Sequence, residues 1–241
     1  MRVDVALTPA AVVPAVLAGA TALVIDVLRA STSMVTALAN GCLGLVPVAE
    51  VDEARRRAAG LPGALLAGER GGDPPEGFDL GNSPLEFTRD RVGGRTLVFT
   101  TSNGTRALLA AREADTIGVA SLVNRTAAAD WALGQGRDVV FVCAGELGGR
   151  ALEDEICAGL LVARVLSRVP RAVAGPEATE AAHASRAYAG DVARLGRDAP
   201  HARHLTAHGR GPDVAACLML DAFALVPVYR PDVDKVVCPY R

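Results

Sequence analysis

The stretch TALVIDVLRASTSMVTALAN, residues 21–40, decides how the rest of the chain is read. Ala22 to Ile25 is a short apolar run that suits a buried strand, and Asp26 ends it. Ser31 and Thr32 are residue types that cap helices, and Met34, Val35 and Leu38 then recur at helical spacing. Gly41 marks the far end of that helix. In a parallel α/β sheet the turn after a strand is where ligands bind, because a helix start offers unpaired N–H groups and the positive end of a dipole. Asp26, Arg29, Ser31, Thr32 and Ser33 put an acid, a base and hydroxyls at that turn. A strand end with a capped helix explains the same residues without a ligand, so the weight falls on whether the chain repeats the device.

It repeats it. Leu45 to Ala49 reads as a strand, Asp52 to Ala59 as a helix stopped by Gly60, and Ala64 to Ala67 as a strand followed by Gly68-Glu69 and the long loop RGGDPPEGFDLGNSP. A loop of that length in a compact domain is more often functional than idle. From Thr96 the order returns: TLVFTT as strand, SNGT as turn, a helix from Arg106, a strand from Thr116, a helix from Asn124, a strand from Asp138, then the loop AGELGGRALED. A βαβαβ-loop pattern thus occurs twice at an offset of about seventy-four residues, pairing the Ser31 turn with the Thr105 turn. The expected fold is α/β, with two similar parallel-sheet halves, residues 1–92 and 93–241, covered by helices on both faces. Further helices are predicted from Glu153 to Val169, Pro176 to Leu195 and Asp213 to Ala222. The tail segments ALVPVY and DKVVC are expected to add strands at sheet edges that join the halves, Pro227 being tolerable at an edge.

Composition excludes several functions. The 25 basic and 27 acidic residues give a net charge of −2, and aromatic residues make up 4% of the chain, so neither electrostatics nor stacking points to nucleic acid. No apolar run reaches membrane-spanning length. Asp4, Pro9 and Pro14 interrupt the apolar N-terminus, which argues against a signal peptide and for a cytoplasmic protein. Five cysteines without a C-x-x-C pair indicate neither a disulfide framework nor a zinc site. Lys235 is the only lysine, so an anion must be held by arginine or by backbone N–H groups.

The turn TTSNGTRAL offers Ser102, Asn103 and Thr105, with Gly104 for close backbone approach and Arg106 in the first helical turn, a set suited to phosphate. Asp26, Glu69, Asp79 and the Glu153-Asp154 pair fall at strand ends or in the long loops. Carboxylates gathered near a phosphate repel one another and the ligand, and a hard divalent cation reconciles them; magnesium fits this inventory better than zinc. Arg29, Arg70 and Arg106 stand beside these acids. The histidines His183, His201, His204 and His208 lack the H-E-x-x-H arrangement and read mainly as solvated, with His208 beside Gly209-Arg210 the one to watch.

The runs VIDVLRASTS, AGERGG, PPEGFDLGNSPLEF, TTSNGTRAL, CAGELGGRALEDEICAG and, more weakly, HGRGPDVAACLMLD resemble the 2-phosphosulfolactate phosphatase family over essentially the whole chain. The resemblance implies a magnesium-dependent phosphatase releasing sulfolactate and phosphate from 2-phospho-3-sulfolactate, a step in coenzyme M biosynthesis. It makes Asp26, Glu69, Asp79 and Asp154 the metal candidates and the Ser31-Thr32 and Ser102-Thr105 turns the phosphate candidates. Asp26, Arg29 and Asp154 are the expected catalytic groups, with Arg70, Asn103, Gly104 and Arg106 aiding substrate. The match is poorest after Val169, in the histidine-bearing segment. Two other readings are carried: a serine hydrolase using Ser102, although Thr100 replaces the first glycine of a nucleophile elbow, and a non-catalytic binder of phosphorylated acids. The expected partner is a small anionic phosphorylated substrate, with a homodimer allowed. Leu28 stands where aspartyl-phosphate enzymes carry a second acid, so direct attack by water is preferred over a carboxylate nucleophile.

Overall fold

In a computed structural model, which describes residues 1–239, the chain forms one ten-stranded sheet flanked by helices. The strands are β1 (Arg2–Ala6), β2 (Thr21–Ile25), β3 (Gly44–Pro47), β4 (Leu65–Gly68), β5 (Thr96–Thr100), β6 (Thr116–Ala120), β7 (Val139–Cys143), β8 (Val173–Ala174), β9 (Val228–Arg230) and β10 (Lys235–Val237). The helices are α1 (Pro14–Leu17), α2 (Ala30–Ala39), α3 (Val51–Ala59), α4 (Arg89–Val92), α5 (Gly104–Ala110), α6 (Arg125–Gly134), α7 (Leu152–Arg168), α8 (Pro176–Ser185), α9 (Leu195–Asp198), α10 (Pro200–Ala207) and α11 (Gly211–Cys217).

The sheet order is β4-β5-β3-β10-β9-β6-β2-β7-β1-β8. All pairings are parallel except those made by β9 and β10. The C-terminal hairpin therefore joins two parallel blocks, one of β3, β4 and β5, the other of β1, β2, β6, β7 and β8. This corrects two expectations. The tail strands occupy the interior of the sheet, with Val236 opposite Leu45 and Tyr229 opposite Ile117. The blocks also interleave along the chain: β2 and β3 separate into different blocks, and β5 from the later half lies between β3 and β4. The sheet thus has no seam at residues 92 and 93.

Both faces of the sheet are buried, as parallel strands require. Leu23 and Ile25 of β2 join the cluster that contains Phe141, Ile156 and Leu161. Ala22 and Val24 point the other way, into a cluster with Met34, Leu97, Phe99 and Leu108. This period of two explains why β2 reads as an unbroken apolar run. The predicted helix over 176–195 is shorter than expected. It ends at Ser185, and Val192–Arg194, α9 and α10 follow as separate turns, Pro200 starting the last of them. No helix among the described residues is long and apolar enough to cross a membrane.

Candidate active site

Strand β2 ends at Asp26, and the local hydrogen bonds show what the Ser31 turn is for. Asp26 N–H donates to Ser31 Oγ at 2.9 Å, and Ala30 N–H donates to Asp26 Oδ1 at 3.2 Å. Asp26 thus takes the capping role expected of Ser31 and Thr32, which lie inside α2 rather than before it. Ser31 Oγ donates to Val24 O, and Thr32 Oγ1 donates to Val27 O at 3.0 Å and pairs with Ser121 Oγ at 2.7 Å. Both hydroxyls are buried and spent within the protein, on the turn and, for Thr32, on Ser121. What remains uncommitted is Asp26 Oδ2, which has no hydrogen-bond partner among the described residues.

The Thr105 turn is closed in the same way. Thr101 N–H donates to Thr105 Oγ1 and Thr105 N–H donates to Thr101 Oγ1. The two turns meet at Gly104, where an added Cβ would lie 2.6 Å from Ala30 Cβ and 2.7 Å from Asp26 Oδ2. Only glycine lets the start of α5 approach α2 and Asp26 this closely. Glu69 joins them: it accepts Ser102 N–H at 2.7 Å on Oε1, and Ser102 Oγ–H at 3.2 Å and Gly72 N–H at 2.8 Å on Oε2. Gly68 before it has φ of 138°, and a side chain there would run into the Thr100 carbonyl.

These groups line one cavity of about 790 Å³, whose walls include Asp26, Arg29, Glu69, Ser102 and Asn103. Other parts of its wall come from the segment that matched most weakly. Arg29, almost fully buried, is held by Asp213 of α11 at 2.7 Å and donates to Gly72 O at 2.9 Å. Asp213 also accepts Ser83 Oγ–H at 2.6 Å. From α10, His201 presents Nε2 to Leu28 O at 3.1 Å and Nδ1 to Glu146 Oε1 at 3.2 Å. A carbonyl and a carboxylate both accept, an arrangement that favours the doubly protonated ring. Burial opposes that charge, but Glu146, with Glu153 and Asp26 farther off, outweighs it and raises the His201 pKa. Glu146 in turn accepts Asn103 Nδ2–H at 3.0 Å.

Burial also raises the Asp26 pKa, to about 7; the Ala30 N–H and the His201 charge pull it down, while Glu69 and Glu153 push it up. Such a carboxyl sits near the protonation boundary at neutral pH, as acid–base and metal-binding groups do. Asp154 is different. Its carboxylate accepts Val27 N–H at 2.8 Å and Gly145 N–H at 3.1 Å, which braces the ends of β2 and β7 from behind the cavity. Burial first, then Asp26 and Glu153, raise its pKa well above the ordinary range. Beside it Glu153 Oε2 is buried without a partner.

The structure therefore brings Asp26, Arg29, Glu69, Ser102, Asn103 and Gly104 together, with Thr105 directly behind. It does not bring in Asp79 or Arg106. Asp79 is exposed and its Oδ2 accepts Leu66 N–H, while Arg106 is exposed on α5. Arg70 is tied to Glu69 O, Ala49 O and Thr100 Oγ1 at the strand ends. Ser102 Oγ bonds to a carboxylate instead of a histidine, which is not the geometry of a serine hydrolase. Sequence reasoning missed His201, Glu146, Asn82 and Asp213; Glu146, Asn82 and Asp213 lie inside runs already singled out, whereas the pairing of His201 with Glu146 comes only through the tertiary fold. Among the described residues no group of three or more His, Cys, Asp or Glu side chains is arranged to hold a metal ion. Asp26 and Glu69 are the carboxylates of the cavity wall that could hold an ion such as magnesium, which takes one or two carboxylates with waters and phosphate oxygens.

A family model described as 2-phosphosulpholactate phosphatase matches residues 6–232. The chain belongs to the 2-phosphosulpholactate phosphatase family. It is thereby a phosphoric monoester hydrolase by descent, and curated relatives match it over most of their length. A protein of Thermotoga petrophila is 38% identical over 86% of this chain and 88% of its own. One of Clostridium acetobutylicum is 38% identical over 87% and 89%, and one of Synechococcus sp. CC9605 is 40% identical over 86% and 87%. All three carry the name probable 2-phosphosulfolactate phosphatase. The matched span of this family takes in α10 and α11, so the histidine-bearing segment is part of the shared fold.

Proposed function

We propose that the cavity is the catalytic centre of a magnesium-dependent phosphatase acting on the phosphate monoester of a small 2-hydroxy acid, with 2-phospho-3-sulfolactate cleaved to sulfolactate and phosphate. The observation that carries this reading is the meeting of the two turns at Asp26 Oδ2, an oxygen without a protein partner at the wall of the cavity. The relatives' name supports the choice of substrate.

Asp26 and Glu69 are the carboxylates that would hold the ion, which when bound neutralises charge on the phosphoryl oxygens. The charge balance of the cavity supports such a need. Asp26, Glu69, Asp73 and Glu146 face it against Arg29, Arg210 and the rings of His201, His204 and His208, and both arginines are already paired with carboxylates, so a multiply charged ester calls for added positive charge. Arg29, pinned by Asp213, offers a guanidinium whose orientation is fixed before substrate arrives, which lowers the entropy lost on binding. The start of α2 adds its dipole. Water attacks phosphorus in a single displacement, with the uncommitted Asp26 Oδ2 at the cavity wall as metal ligand or as acceptor of the water's proton.

A screen of phosphorylated 2-hydroxy acids for phosphate release tests the substrate, with 2-phospho-3-sulfolactate expected to lead. A chiral phosphate ester tests the mechanism: inversion at phosphorus is expected, and retention, or a phosphoryl group trapped on a peptide containing Asp26, would overturn it.

A further inference from the structure

We propose that His204 and Arg210 form a second anion subsite in this cavity, one that takes the acid group on the third carbon of the substrate, a sulfonate or a carboxylate. The inference rests on the phosphatase reading above and extends it to the choice among phosphate esters.

His201, His204 and His208 recur at helical spacing on α10 and its C-cap, and all three line the cavity. The row has a fixed origin, because His201 Nε2 is bonded to Leu28 O, two residues past Asp26. The His204 ring stacks against the His201 ring with their centroids 6.4 Å apart. In a 2-phospho-3-acid the distal acid is four bonds of about 1.5 Å from phosphorus, within about 5 Å of it. A substrate held by its phosphate beside the Asp26 turn and laid along this row of rings presents its distal acid toward His204.

The chemistry of the three rings differs. His201 has both nitrogens engaged, by Leu28 O and Glu146. His208 donates from Nδ1 to His204 O at 2.8 Å, and its ring lies 4.2 Å from the His204 ring, backing it. His204 has no hydrogen-bond partner on either ring nitrogen among the described residues, and a neutral or charged imidazole always has an N–H to give. Arg210, next along the cavity wall, pairs with Asp73 through one nitrogen. A guanidinium and an imidazole N–H make a charge-assisted pair for an oxyanion, and neither is used by the phosphate end.

The test compares three esters that share the phosphate and the first carboxylate: 2-phospho-3-sulfolactate, 2-phosphomalate and 2-phospholactate. His204→Phe keeps the ring packed on His208 and removes the N–H. The preference for the two distal-acid esters over 2-phospholactate, as a ratio of kcat/KM, is expected to fall by about tenfold in His204→Phe and in Arg210→Gln, mainly through KM. The sulfonate and carboxylate arms show which acid the subsite favours. An unchanged ratio, or equal losses on all three esters, would overturn the proposal. Calorimetric titration with sulfolactate gives a readout that needs no turnover: weaker binding by about tenfold in both variants supports the subsite, and equal affinity refutes it. If no ester releases phosphate the phosphatase reading falls, and the titration alone decides the subsite.

Discussion

Replacing Asp26 by Asn should abolish activity and at the same time stabilise the protein, by an amount that grows with pH. The Asp26 carboxyl ordinarily titrates at 3.8 and is raised to about 7, first by burial and then by Glu69 and Glu153. Its folded value lies above its unfolded value, so its contribution to stability is full below 3.8 and is lost as pH rises through about 7. One pKa unit corresponds to about 1.4 kcal/mol, which puts the cost of the ionised group at about 4 kcal/mol at pH 8 and about 2 kcal/mol at pH 5. Asn keeps an acceptor for Ala30 N–H and carries no charge. In EDTA the stability advantage of Asp26→Asn over the parent protein should therefore widen by about 2 kcal/mol between pH 5 and pH 8, several degrees in Tm for a chain of this size. Urea unfolding followed by circular dichroism at the two pH values measures it. An advantage that is absent or independent of pH would refute the account of a buried, electrostatically strained carboxyl.

Gly104→Ala drives a methyl into Ala30 and Asp26, and should cost about 1–3 kcal/mol in urea unfolding and lower kcat. Asp154→Asn can satisfy only one of Val27 N–H and Gly145 N–H with its oxygen, and should lose about 1–3 kcal/mol, so that its activity falls together with its thermal midpoint. Asp79→Asn and Arg106→Ala, both exposed and away from the cavity, should leave kcat/KM within about twofold in a phosphate-release assay.

The strand-turn-helix from Thr21 to Asn40 was legible because its constraints are local: an apolar run with both faces buried, a turn and a helix at the regular spacing. The same holds for β5 and the Ser102 turn, and both turns prove to face one cavity. The interior position of β9 and β10 was not legible. Their short segments pair with Leu45 and Ile117, nearly two hundred and just over one hundred residues away, and nothing local distinguishes such a hairpin from an edge strand. Asp79 illustrates the converse error: an acid in a long loop near the site in sequence, but turned to Leu66 N–H and solvent. His201 lies outside the quoted runs and Glu146 lies inside one without standing out, because their meaning lies in a contact between α10 and the loop after β7. The hydroxyls of Ser31 and Thr32 bond within the protein, since a buried hydroxyl first satisfies the backbone beside it, and nothing in the local sequence signals that.

The most direct test of the account is phosphate release from 2-phospho-3-sulfolactate by the full chain and its Asp26→Asn variant, each treated with EDTA and then resupplied with magnesium. The account predicts release by the parent protein only when magnesium is present and none above background from the variant. Full release in EDTA, or turnover by Asp26→Asn at the parent rate, would contradict it.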